Sequence, residues 1–464
     1  MKTCFRFYLI LLATLLSSGR HVALADDDEA NASTGERIEA FVDLVHERIG
    51  FSGVVLAGRD GEIVSVIARG NANADEALNT NSLFEIASCT KPFTAVAVLR
   101  LAEQGKLDLD DSLSKHLPGV PENCKAITIQ HLLNHTSGIP GSNTRGSGDD
   151  LSAVLPTFLD GGSRSRPGLQ HEYWNQGYSL LSEVIARANG TTYTETMREL
   201  VFEPSQMDAS CFTGDSAPRG FSIATGRSSM GPSRSALEHP YGSYGFQYRG
   251  MGGLVTNVHD LWKWDRALAD RSLLSPSSVN EMITPGPGDY GLGWQLSKSP
   301  DGSPSHGHRG RVRGFLAQVQ RYPSVDGAIF VLVNDDRSST FSVIAQGVEQ
   351  ILFGEEPKLE FPGELDPKRI DAIAGTYVDS QMRKLVVEDV AGLPELRIEW
   401  GGPVTRGYLG LEPDGKPHLY LLSLVDGSAK FKNDGPLKIE MKNERAKSIS
   451  LEVLNPPLVF KRQP

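Results

Sequence analysis

Phe84-Glu85-Ile86-Ala87-Ser88-Cys89-Thr90-Lys91-Pro92-Phe93-Thr94-Ala95 opens a helix that runs on to Gly105. Pro92 is tolerable in a first turn, where its missing N–H would have had no partner in any case. Ser88 stands at the N-terminal end, and Lys91, three residues on, shares its helical face. An amine thus lies beside a hydroxyl, at a helix end whose dipole favours developing negative charge. That is the geometry an acyl-transfer nucleophile needs. The spacing alone is weak, since Ser112-Leu113-Ser114-Lys115 repeats it. What strengthens the first copy is its company. Tyr173-Trp174-Asn175 stands in a loop before a helix from Gly177 to Ala188, and His308-Arg309-Gly310 opens a strand running into Gly314-Phe315.

Outward from this stretch, Glu36 to Arg48 carries Ile38, Phe41, Val42 and Val45 on one helical stripe. Two apolar runs follow, Gly53–Ala57 and Ile63–Ala68, with the hairpin signal Asp60-Gly61 between them. A second pair, Phe315–Tyr322 and Ala328–Val333, flanks Asp326-Gly327, and an amphipathic helix over Thr340–Leu352 comes next. From Ser88 to Leu274 the pattern is mostly helical, broken by Gly, Pro and Ser loops. The simplest architecture is α/β (α+β). Both ends of the domain meet in one antiparallel sheet flanked by helices, with a mostly helical region inserted between. A charged, proline-bearing joint spans 354–364. Beyond it Leu396–Trp400, His418–Val425, Leu437–Lys442 and Ile449–Val453 alternate at period two. This predicts a separate all-β domain over 365–464, a small lipocalin-like barrel.

Hydrophobic residues make up 39% and charged residues 22% of the 464, which excludes wholesale disorder, a coiled coil and a polytopic membrane protein. A net charge of −11 argues against a nucleic-acid partner, because phosphate neutralisation needs a basic surface. Lys2 and Arg6, the apolar Phe7–Leu16 and Ala23-Leu24-Ala25 line up as a signal peptide over 1–25. The apolar run is too short to span a bilayer, so the mature chain is expected to be periplasmic or secreted, with no membrane span after cleavage. Cys4 leaves with this leader. Cys89, Cys124 and Cys211 are too few for a disulfide framework; either one Cys124–Cys211 bridge or three buried thiols is compatible with export. With no CxxC, HExxH or strand-linked GxGxxG in the sequence, the usual zinc and dinucleotide signatures are missing.

The three motifs together resemble the serine β-lactamase and penicillin-binding-protein superfamily. The likeness is to the branch near class C β-lactamases, class VIII-type esterases and D-stereospecific peptidases. Ile127-Thr128-Ile129-Gln130-His131-Leu132-Leu133-Asn134-His135-Thr136-Ser137-Gly138, the segment from Tyr173 to Ile185, Gly252-Gly253-Leu254-Val255 and Tyr290-Gly291-Leu292-Gly293-Trp294 extend the likeness over about residues 36–353. The resemblance implies a β-lactamase-like fold over 26–353 with an appended β-barrel. It also implies Ser88 as nucleophile and Lys91 as general base or electrostatic partner. Tyr173 would be a second base whose phenolate is stabilised by neighbouring cations, and Asn175 a substrate-binding side chain. His308 stands where the K-T-G form of the third motif has Lys. The backbone N–H groups of Ser88 and Arg311 would form the oxyanion hole, with Gly310 and Arg309 beside the substrate. No cofactor or metal is implied, and the partner is a small molecule or peptide: an ester, a β-lactam or a D-amino-acid peptide. Arg309 and Arg311 depart from the small residues common at these positions.

Several residues carry a second reading. His131 with His135, and His306 with His308, are spaced like metal-ligand pairs but lack a third-ligand motif. Glu172 could serve as a deacylation base or stand as a solvated charge, and Cys89 points away from Lys91 into the core. Arg309, Arg311 and Arg313 recur at period two. They either coat a solvent face opposite His308 and Gly310 or turn, through local twist, to hold a substrate carboxylate. Two other functions compete: a catalytically silent homologue that binds peptidoglycan or peptide, and a chain whose C-terminal barrel is the working part. The first is disfavoured because a binding-only protein needs no trio of titratable groups.

Overall fold

The computed structural model describes residues 32–463 apart from 142–147, 229–230, 338–339, 362–364, 391–392, 400–403, 413–414, 426–427, 453 and 455. The signal peptide expected over 1–25 therefore lies outside the described residues. The chain divides into two compact units that part between Pro357 and Lys358.

In the larger unit, six antiparallel strands form one sheet. They are β1 (Gly53–Arg59), β2 (Glu62–Arg69), β3 (Gln295–Lys298), β4 (Pro304–Val312), β5 (Phe315–Tyr322) and β6 (Gly327–Val333), in the order β2-β1-β6-β5-β4-β3. The N-terminal hairpin thus lies against the last strand, with Gly53 opposite Val333. Asp60 and Gly61 both take positive φ, 52° and 77°, the backbone a two-residue hairpin turn demands. Tyr322 pairs with Gly327 across a longer loop that closes on Asp326 at φ 37°. The strand expected to run from His308 into Phe315 is instead two strands. It starts at Pro304 and reverses at Arg313-Gly314, where Gly314 takes φ 88° and a Cβ would lie 2.8 Å from the Gly226 backbone. No side chain fits at that approach, so a turn forms where the apolar pattern alone reads as continuous.

Helix α1 (Thr34–Ile49) and helix α5 (Thr340–Leu352) pack together on one side of the sheet. Ile38, Phe41, Val42, Val45 and Ile49 of α1 are buried, and a Cβ on Gly347 of α5 would lie 2.2 Å from the Phe41 ring. Between the hairpins runs α2 (Lys91–Glu103), buried on nearly every side, with Phe93 stacked on Trp264 of α4 (Val258–Ala269) at 3.9 Å. A helix buried all round keeps any charge on it away from water, and α2 begins with Lys91. The other long helix, α3 (Asn175–Asn189), packs against α2.

The smaller unit is a closed eight-stranded up-and-down barrel. Its strands are β7 (Gly375–Val378), β8 (Lys384–Val390), β9 (Leu393–Glu399), β10 (Val404–Leu411), β11 (Pro417–Val425), β12 (Ser428–Lys442), β13 (Arg445–Leu451) and β14 (Leu458–Arg462). Each pairs with its successor and β14 closes on β7, which leaves no free edge among these eight. Tyr377, Leu385, Leu396, Leu409, Ile449 and Phe460 fill the interior with Ile370 and Ile373 of a short helix, Pro367–Ile373.

Candidate active site

A short strand, Phe84–Glu85, pairs with Leu254–Thr256 and delivers the chain into a 3₁₀ turn, Ala87–Thr90, that runs straight into α2. Ser88 sits in that turn rather than in the α-helix itself. Ala87 takes φ 47°, a conformation costing a non-glycine residue about 1–3 kcal/mol, so the surroundings must hold it. Thr90 Oγ1 donates to Ala87 O at 2.7 Å and accepts Leu254 N–H at 3.3 Å. Glu85, 1% exposed, is bonded by the Arg234 guanidinium and the Tyr248 hydroxyl. Arg234 also donates through Nε to Arg313 O at 2.8 Å, so one buried guanidinium joins the approach to Ser88 to the turn after β4. Burial pushes the Glu85 carboxyl up, while Arg234 and Tyr248 pull it back.

Lys91 is fully buried, and its Nζ has three neighbours: Ser88 Oγ at 3.0 Å, Asn175 Oδ1 at 2.8 Å and Met251 O at 3.1 Å. Two of these can only accept, and the third is a hydroxyl. A protonated amine would donate to all three; a neutral amine would keep its two donors on Asn175 and Met251 and turn its lone pair to the Ser88 O–H. Burial favours the neutral form, moving Lys91 down to about 7. Asn175 is the first residue of α3 rather than part of a preceding loop. Met251 contributes only a carbonyl, so no side-chain pattern could have marked it.

Tyr173 is half-buried. Its hydroxyl is hydrogen-bonded to Ser88, and its ring centroid is 4.9 Å from Lys91 Nζ. Burial raises its pKa, against which the Ser88 hydrogen bond works only in part. The phenolate implied by the resemblance is therefore disfavoured, because desolvation outweighs the Ser88 hydrogen bond and holds Tyr173 as a neutral phenol. His135 lies under the ring, 4.2 Å between centroids, with Nδ1 accepting Trp174 N–H at 3.1 Å. Burial first, then the charge of Lys91, hold His135 well below the usual histidine range.

On the other side of Ser88 runs β4. Its pairing with β3 stops at Gly307, so past that point its outer edge is free to border the nucleophile. A Cβ on Gly310 would lie 2.1 Å from Ile86 O and 3.2 Å from Ser88 N; only glycine lets β4 pass this close. His308 is 2% exposed, with Nδ1 2.8 Å from Arg309 O and Nε2 3.0 Å from Tyr290 OH. Burial and then Lys91 push it down to about 3, so its ring is neutral. Arg309 and Arg311 are exposed and leave β4 on the opposite face from His308 and Gly310. Arg309 Nε donates to Gln318 Oε1 at 3.1 Å on that face. Strand alternation keeps the Arg309 side chain on the far face of the sheet from His308 and Gly310. For Arg311, only the main chain runs along the edge near Ser88.

The remaining candidates have other occupations. Cys89, Cys124 and Cys211 are all buried free thiols, and Cys89 Sγ lies 3.1 Å from His308 O. Burial pushes Cys89 up to about 12, which leaves it unreactive. His131 Nδ1 accepts Thr128 N–H at the start of its own helix, and Glu172 accepts Gly141 N–H at 2.6 Å. His306 packs its ring edge on Trp294 at 5.0 Å. The structure thus gathers Ser88, Lys91, Tyr173, Asn175, His308 and Gly310 around one point. It adds Glu85, Arg234, Met251 and Tyr290, which the spacing of motifs did not single out, and His135, whose spacing had suggested only a metal-ligand pair.

A strained serine turn, a buried lysine and a flanking strand edge on an α/β sheet together define a β-lactamase-like fold. The profile of the Beta-lactamase family matches residues 38–351, and the chain belongs to that family. It is 29% identical over 377 residues to penicillin-binding protein 4* of Bacillus subtilis, covering 75% of this chain and 83% of the relative. It is 25% identical over 394 residues to the D-alanyl-D-alanine-carboxypeptidase/endopeptidase AmpH of Escherichia coli, covering 77% of this chain and 98% of AmpH. The octameric penicillin-binding protein homologue from Pyrococcus abyssi shares the fold at TM-score 0.58 and 24% identity, covering 92% of this chain and 99% of that one.

Proposed function

We propose that this chain is an exported serine hydrolase that cleaves an ester or amide through an acyl-enzyme on Ser88. The observation that carries the reading is Lys91 Nζ fully buried among three uncharged oxygens and 3.0 Å from Ser88 Oγ, where burial brings the amine down to about 7. In acylation the Ser88 proton passes to Lys91 Nζ as Oγ bonds to the substrate carbonyl carbon. The carbonyl oxygen, now negative, takes hydrogen bonds from the backbone N–H groups of Ser88 and Arg311. The carbon–nitrogen or carbon–oxygen bond then breaks, and the leaving amine or alcohol departs with a proton handed over through the Tyr173 hydroxyl. Water attacks the ester on Ser88 with Lys91 again as base, releasing the acid and restoring the serine. Because Tyr173 is held protonated, it serves as donor and relay rather than as first base. The relative named as a D-alanyl-D-alanine carboxypeptidase supports an acyl donor of D-amino-acid type, and the leader motif in residues 1–25 supports export.

The test is turnover of a short-chain nitrophenyl ester, a chromogenic cephalosporin and D-amino-acid amides by the purified protein, with intact mass recorded during the reaction. Hydrolysis of at least one, with a transient acyl mass, is expected. Non-covalent binding with no turnover and no acyl mass would instead make the protein a silent binder.

A further inference from the structure

His308 stands at the third-motif position with neither ring nitrogen left for a substrate. Its Nδ1 lies 2.8 Å from Arg309 O; a carbonyl only accepts, so Nδ1 carries the proton and donates. Its Nε2 then accepts from the Tyr290 hydroxyl at 3.0 Å. Tyr290, 2% exposed, is held in turn by its loop. A Cβ on Gly293 would come within 3.1 Å of Ala95 Cβ, Lys91 O and Pro92 Cα, so Tyr290-Gly291-Leu292-Gly293-Trp294 is pressed onto the start of α2. The groups facing His308 are Lys91, the Tyr173 ring at 6.2 Å, Tyr290 and His135. Burial and Lys91 both oppose a charge on the imidazole, which is the direction the hydrogen bonds already set.

The cations carried by the motifs do not fill the gap. Lys91 Nζ is spent on Ser88, Asn175 and Met251. Arg309 is engaged with Gln318 on the far face, and Arg311 leaves β4 on that same face. A carboxylate seated against β4 would therefore exchange water for an aromatic wall of Tyr173, Tyr290, His135 and His308. Among the described residues of the motifs it would find no counter-charge there. Burying an unpaired carboxylate is far more costly than burying an amide or ester carbonyl.

We propose that Tyr290 and His308 form a specificity-determining pair, and that it selects acyl donors whose leaving side is uncharged, an amide or ester rather than a free acid. This rests on the serine-hydrolase reading above and names its substrate class. Tyr290 acts through His308, so it is a positioning residue; its hydroxyl keeps Nε2 from turning to a ligand.

The experiment compares N-acetyl-D-alanyl-D-alanine with its C-terminal carboxamide. Both are measured by hydrolysis and by competition against a nitrophenyl ester, in wild type, Tyr290→Phe and His308→Lys. Wild type should favour the carboxamide in kcat/KM by tenfold or more. Tyr290→Phe, which frees Nε2 while keeping the ring, should narrow that ratio several-fold at pH 6. His308→Lys should narrow it by tenfold or more at pH 7. A wild type that takes the acid as well as or better than the carboxamide, by either readout, overturns the inference. So does a ratio unmoved in every variant that still acquires an acyl label. If wild-type Ser88 takes no label at all, the hydrolase reading itself has failed, which is a different result.

Discussion

Two stretches of this chain spell Ser-x-x-Lys, and only one buries its lysine against its serine. At Ser112 the hydroxyl caps a four-residue helix, Leu113–His116, accepting Ser114 N–H at 3.3 Å and donating to Lys125 O at 2.7 Å. Lys115 is exposed and paired with Asp111 at 2.5 Å. At Ser88 the hydroxyl caps nothing, and Lys91 has lost its water without gaining a carboxylate. A pattern of letters places an amine near a hydroxyl in both cases. What separates them is the medium: an ammonium with an anionic partner in water keeps its proton, whereas one buried among neutral acceptors gives it up near neutrality.

The largest expected contrast is between the two serines. Ser88→Ala should lose about four orders of magnitude or more in kcat, since the covalent path disappears, while Ser112→Ala stays near wild type. Parallel esterase assays of the two variants check this; equal losses would erase the distinction. Next come the lysines. Lys91→Arg keeps a charge but removes an accessible base, so acylation should fall by about a thousandfold; Lys115→Arg should be silent. Near-normal acylation in Lys91→Arg would hand the role of base to another group.

The pH profile sharpens the same point. In the proposed mechanism Lys91 works unprotonated, so kcat/KM should be low in acid and rise through about 7 to a plateau. A flat profile between pH 6 and 8 would contradict it. Stability should follow the same group: its folded pKa lies below its unfolded one, so the unfolded chain binds the extra proton and this contribution grows as pH rises from about 7 toward the ordinary lysine value of about 10.4. Tyr173→Phe should cost a smaller factor, about ten- to a hundredfold, because proton relay rather than the nucleophile is lost. The smallest effect is reserved for Ser112→Ala, which should leave activity intact and lower stability by about 0.5–2 kcal/mol through loss of a helix cap. Thermal melts beside activity assays would separate the two.

What could be read from the sequence was what is local. The stripe of Ile38, Phe41, Val42 and Val45 and the Asp60-Gly61 turn depend on neighbours a few residues away, and both stand as expected. The three motifs likewise announced Ser88, Lys91, Tyr173 and Asn175. The state of the site was not legible, because its causes are distant. Glu85 meets Arg234 across 149 residues, and His308 is disarmed by a tyrosine 18 residues away. Met251 acts through a carbonyl that every residue type possesses. The start of α3 at Asn175 escaped notice because Trp174 supplies no capping side chain. In the barrel, four of the eight strands carried too short or too charged an alternation to stand out, β7 and β14 among them, and they are fixed by ring closure instead.

The most direct test of the account is to map where a fluorophosphonate or penicillin probe attaches. Purified wild type, Ser88→Ala and Ser112→Ala would be treated alike, digested and sequenced by mass spectrometry. The account predicts one adduct, on Ser88, present in wild type and Ser112→Ala and missing from Ser88→Ala. An adduct that persists at full yield in Ser88→Ala, or one found on Ser112, would contradict it.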